Sequence, residues 1–141
     1  MKLDMRPMIL TLLLFGPLAA QQSADDPLRD LMFPPEAVMQ HQQAIGLNDE
    51  QKNTFKSELR QAQLKFTELQ WSMQDEIERL VSLLKQSKVD EKQAALQLDK
   101  VLGAEREIKR AQLMLLIRIK NNLTPTQQTQ LRELVEKSKA R

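Results

Sequence analysis

Between residues 48 and 87 the large apolar side chains recur at Phe55, Leu59, Ala62, Phe66, Leu69, Met73, Ile77, Leu80 and Leu84. The steps are three and four residues. That spacing keeps one side of an α-helix apolar and resembles a coiled-coil seam. No Gly or Pro interrupts the stretch, which predicts a helix on the order of 55 Å long. A second stripe follows at Ala94, Leu98, Val101, Ile108, Ala111, Leu115 and Ile119, with Glu105 falling on the same side. The link Gln86-Ser87-Lys88-Val89 is short, so the two helices are expected to fold back on each other, antiparallel. Before them, Pro35-Glu36 opens a short helix running to about Ile45, with Gly46 as its C-terminal cap. After them, Leu131, Leu134 and Val135 mark the inward side of a last short helix. No β-alternation competes with this pattern. The expected fold is all-α: a long antiparallel helical hairpin flanked by two short helices, four in all, assembled as a dimer.

Three pentapeptides start these helices. They are Leu47-Asn48-Asp49-Glu50-Gln51, Val89-Asp90-Glu91-Lys92-Gln93 and Leu123-Thr124-Pro125-Thr126-Gln127. Each has an apolar residue, a capping residue, and Gln three places later. This is a capping box: the cap side chain accepts from the backbone N–H three residues on, and Gln reaches back to the cap's own N–H. Pro125 suits the first helical position, where its missing N–H would have no partner.

The N-terminus reads as an export signal. Lys2 and Arg6 precede an apolar run, Met8 to Phe15, followed by Gly16-Pro17 and the small-residue stretch Leu18-Ala19-Ala20. The run is shorter than the roughly 20 residues of a spanning helix. The expected organisation is a signal peptide at 1–20, a flexible leader at 21–33 and one helical-hairpin domain at 34–141. An uncleaved anchor is the alternative. Taking Lys2, Arg6 and Asp4 from the 21 basic and 19 acidic residues leaves 19 and 18 in the mature chain. That near-balance argues against a nucleic-acid surface. One Trp and no Tyr leave little for stacking on bases. An exported domain without Cys holds itself by packing or by oligomerisation.

Several large apolar residues do not fit the seam. Leu64 and Trp71, seven apart, lie roughly opposite the stripe of the second helix. In the third, Leu113, Leu116 and Ile117 point away from Leu115 and Ile119, and Met114 completes an apolar run bordered by Lys109, Arg110, Arg118 and Lys120. A thin hairpin does not bury two opposite faces, and an exposed patch of this kind marks an interaction surface. Two occupants are open, a second copy of the chain or unfolded polypeptide, and they are compatible if a dimer forms a cradle.

Catalytic chemistry has little material. One His and no Cys leave little for Cys/His or Ser/His/Asp machinery of the usual kinds, and three Gly make no phosphate loop. The carboxylates alternate with Lys and Arg as solvated helix surface does. His41, with Met39 and Glu36 nearby, lacks the three or four donors of a metal site. Asn122-Leu123-Thr124 matches a glycosylation sequon but coincides with a capping box. The chain is expected to be no enzyme and to carry no cofactor.

The same pentapeptides resemble those of the LTxxQ-motif family of small periplasmic helical proteins, which includes the Spy/CpxP-type envelope-stress chaperones and related heavy-metal resistance sensors. Leu123, Thr124 and Gln127 match the motif in full; Leu47, Asn48 and Gln51 match it with Asn for Thr. The export signal, size, lack of Cys and four-helix pattern agree along nearly the whole mature chain. The resemblance implies a periplasmic, dimeric hairpin whose curved surface holds unfolded clients without ATP. Its alternative is a sensor or regulator of metal or stress, with an envelope signalling partner. In metal-sensing members the ligands include several His, early in the chain and on the third long helix. Here His41 alone corresponds to the early site, and Met114 loosely to the later one.

Overall fold

The computed structural model describes residues 27, 28 and 30–141. The expected export signal and most of the leader lie outside the described residues. The chain divides into two units, Met1–Leu31 and Met32–Arg141. In the first, the Leu31 N–H donates to the Leu28 carbonyl at 3.2 Å and closes a turn. The second holds four helices: α1 (Pro35–His41), α2 (Asp49–Leu84), α3 (Glu91–Asn121) and α4 (Pro125–Lys139). No strand occurs among the described residues.

The helix starts follow the capping chemistry. Asn48 Oδ1 accepts from the Gln51 N–H at 2.8 Å, and Gln51 Oε1 accepts from the Asn48 N–H at 3.1 Å. Thr124 and Gln127 repeat the exchange at 3.2 and 2.9 Å. Asp90 makes only the forward bond, from the Gln93 N–H at 3.1 Å. Regular α1 stops at His41, four residues short of the expected end. The chain nevertheless continues in turns to the predicted glycine. The Leu47 N–H donates to the Gln42 carbonyl at 3.0 Å and the Gly46 N–H to the Gln43 carbonyl at 3.1 Å. These paired bonds form a Schellman cap, with Gly46 at φ 67°.

The hairpin is antiparallel. Gln51 meets Asn122, Glu58 meets Arg118 and Glu76 meets Gln97, so the partner number falls as the α2 number rises. At this register Met73 lies level with Val101, and both are fully buried. The main core sits at the open end, where α1 packs on α4. There Val38, Ile45, Leu47, Phe55, Leu115, Ile119, Leu123 and Leu131 form one cluster, supported by half-buried Phe66, Leu134 and Val135. The Arg132 guanidinium lies over the Phe33 ring, 5.7 Å from its centre, a cation–π contact.

Two seam assignments change. Leu98 is exposed and its neighbour Gln97 is buried instead. Adjacent helix residues point about 100° apart, so only one of the two can face α2. The Gln97 amide takes the inner place because Nε2 donates to the Glu76 carbonyl at 2.8 Å and to its carboxylate at 2.6 Å. Leu84 is also exposed; it is the last residue of α2, where the chain leaves the hairpin and little remains to cover it.

Candidate functional site

The two full capping boxes are joined to each other. Gln51 Nε2 donates to Gln127 Oε1 at 2.7 Å, and Gln127 Nε2 donates to Gln51 Oε1 at 3.1 Å. Each glutamine also reaches the residue just before the other's box: Gln51 the Asn122 carbonyl at 2.8 Å, Gln127 the Gly46 carbonyl at 3.3 Å. The Asn122 side chain returns a bond to the Gln51 carbonyl at 2.9 Å. Leu47 and Leu123, the first residues of the boxes, are buried in the core. Leu47, Asn48, Gln51, Leu123, Thr124 and Gln127 therefore form a clasp with near two-fold character. It fastens the start of α2 to the start of α4. The Asn122 amide is held in this clasp, which removes it as an exposed sugar acceptor.

The apolar residues outside the seam fall into separate places. Leu64 and Trp71 are 68% and 65% exposed, on the side of α2 turned from α3. Leu113 and Met114 are exposed on α3, whereas Leu116 and Ile117 are half-buried. By helix arithmetic Leu113 shares a flank of α3 with Leu102 and Leu98, three turns and four turns away. Their exposures are 39%, 46% and 43%. This leucine flank runs for roughly 22 Å. Sequence reasoning missed Leu102 and placed Leu98 in the seam; the signal was the repeat of leucines one turn apart just beside the stripe.

Charge around the leucine flank is unevenly neutralised. Lys109 pairs with Glu105 at 3.6 Å, and Arg118 with Glu58 at 3.5 Å. Arg106 and Arg110, which border the flank, have no carboxylate within ion-pair distance among the described residues. Near Trp71 one ion pair forms, Lys65–Glu68 at 3.8 Å. Among the described residues the shifted titrating group is Glu76, half-buried beside Gln97. The Gln97 amide holds its carboxyl below the ordinary value; partial desolvation opposes this, and Arg79 and Lys100 add to the lowering.

Among the described residues no three of His, Cys, Asp and Glu come together. His41 is half-buried at the end of α1, and Met114 lies on a different helix. No helix among the described residues is long and apolar enough to cross a membrane.

Comparison with curated proteins and with solved structures returns no match. Comparison with family models does return one: residues 8–130, most of the chain and both clasp boxes, match the model described as heavy-metal resistance, so the chain belongs to that family.

Proposed function

We propose that this protein is an ATP-independent, chaperone-like protein of the periplasm that binds unfolded or partly folded polypeptide. The observation that carries the reading is the exposed leucine flank of α3. Exposed leucines along one flank of a helix are costly unless something covers them. A row of leucines without a deep pocket suits segments of varied sequence, because apolar contact is non-directional. Arg106 and Arg110 beside it favour clients with acidic stretches and speed encounter. In this reading Leu64 and Trp71, with the Lys65–Glu68 pair beside them, form the contact with a second copy of the chain. The clasp holds the hairpin's open end rigid and touches no client.

The test is aggregation of a generic unfolded protein at increasing ratios of this chain, with and without added metal. Suppression without nucleotide supports the reading; its absence at several-fold excess removes it. A sensor or regulator of metal is the second reading, favoured by the family to which the chain belongs. Because His41 belongs to no group of three His, Cys, Asp or Glu among the described residues, tight binding would draw on ligands from two copies. Calorimetry showing a tight zinc or copper site, lost in His41→Ala, would place the sensor reading first.

A further inference from the structure

A cavity of about 120 Å³ opens between the end of α1 and the first turns of α2. Val38, Leu47, Phe55 and Leu59 form its apolar walls, and Lys52 and Lys56 stand along one side. The lysines are four residues apart and so project from the same side of α2. Neither has a carboxylate within ion-pair distance among the described residues. The pocket lies at the open end, on different residues from the leucine flank.

We propose that this pocket binds the C-terminal residue of a polypeptide, with its apolar side chain in the cavity and its free carboxylate between Lys52 and Lys56. Size selects the occupant. A cavity of roughly 150 Å³ holds one benzene ring, so this one takes a single Leu- or Met-sized side chain and excludes most of a long acyl tail. Charge selects the carboxylate: two ammonium groups beside an apolar wall favour an anion next to an apolar group. An internal peptide segment presents no such carboxylate at the backbone. The choice of a polypeptide occupant rests on the polypeptide-binding reading above, whereas the recognition of an apolar carboxylate stands on the pocket alone.

The experiment titrates the full chain with N-acetyl-Ala-Ala-Leu as the free acid, with the same peptide as the amide, and with octanoate, following backbone amide resonances. The acid is expected to shift resonances of Val38, Leu47, Phe55 and Leu59. The amide should bind about fivefold to tenfold more weakly, the scale of one or two partly exposed ion pairs. That preference should shrink with added salt. In the double variant Lys52→Gln with Lys56→Gln, checked for unchanged helicity, acid and amide should bind alike. Equal binding of acid and amide to the native chain overturns the proposal, as does the absence of shifts at the pocket. Octanoate binding more tightly than the peptide also overturns it and makes the cavity a fatty-acid site. The aggregation assay run on the native chain beside this titration separates the two readings. Suppression retained while peptide discrimination is absent from the native chain removes the pocket proposal alone. Discrimination present while the native chain fails to suppress removes the chaperone reading alone.

Discussion

Gln51 and Gln127, 76 residues apart in the chain, exchange side-chain amide bonds in both directions while each also caps its own helix. Each glutamine oxygen thus accepts twice, from a cap N–H and from the other glutamine. Each nitrogen donates to the other glutamine and to the carbonyl of the residue just before the other box. Removing the Gln127 side chain takes both shared bonds from the Gln51 amide and also leaves the Thr124 N–H and the Gly46 carbonyl without that partner in a part-buried site. Gln127→Ala is expected to cost about 2–3 kcal/mol, more than a simple cap loss, because several groups lose partners together. Gln51→Ala should cost a similar amount. In urea denaturation the double variant should be less destabilised than the sum, by at least about 0.5 kcal/mol. Additive losses would mean that the two boxes act independently.

The far half of the hairpin depends on one seam. Met73 is fully buried with no third helix among the described elements to fill a gap there. Met73→Ala should cost about 2–4 kcal/mol, since the two-helix stretch has few neighbours able to close the cavity. Phe66, half-buried at the margin of the open-end core, should cost less when truncated. Equal losses at the two positions would show that the core does not end where burial places it.

Gly46 isolates a backbone effect. A methyl group at its Cβ position would meet nothing within 4 Å, yet its φ of 67° is strained for an L-residue. Gly46→Ala should therefore destabilise by about 1 kcal/mol through conformation alone. Gly46→Asn should recover part of that loss, because Asn tolerates the left-handed region. If Asn and Ala cost the same, backbone conformation is not the source.

Local features of the fold were legible in the sequence because their chemistry spans only a few residues. The Asn48, Asp90 and Thr124 caps each involve a bond to the third residue on, and the Schellman cap at Gly46 involves its nearest neighbours. The antiparallel hairpin followed from two stripes and a short link. The clasp was not legible, since nothing near Gln51 indicates that Gln127 stands opposite. Gln97 was missed for a related reason. Hydrophobicity alone favours Leu98 at the seam, and the choice is made by a carbonyl and a carboxylate 21 residues earlier. That rotation is also what leaves Leu98 beside Leu102 on the outside. The candidate surface could therefore be read only in part from the stripe.

Glu76 gives the hairpin an acid-sensitive joint. Its folded carboxyl titrates below the ordinary value of 4.5, chiefly because the Gln97 amide donates to the charged form. A depressed carboxyl binds fewer protons in the folded than in the unfolded state. Its contribution is thus present above the unfolded value and is lost as pH falls through the folded one. Melting temperature measured from pH 7 to pH 3 should fall below about pH 4.5. In Glu76→Gln that acid-side fall should be smaller. An unchanged pH profile would show that Gln97 does not favour the charged carboxylate.

The proposed division of labour between α2 and α3 makes the final prediction. Leu98, Leu102 and Leu113 are exposed side chains on the flank of α3, so replacing all three with Ser removes apolar surface without opening a core cavity. Surface changes of this kind usually alter stability by no more than about 0.5 kcal/mol each. Trp71→Ser with Leu64→Ser does the same on the far side of α2. The α3 variant should remain helical and keep its sedimentation behaviour, yet lose most suppression of client aggregation. The α2 variant should sediment as a smaller species and retain suppression in proportion to what a single copy can hold. Trp71 fluorescence offers a direct check on the α2 contact: dilution that dissociates a dimer should shift its emission to the red as the indole becomes solvated. If the α3 variant dissociates and the α2 variant loses client protection, the assignments of the two surfaces are reversed. If neither variant changes either property, the exposed apolar residues of both helices lie outside the functional surface.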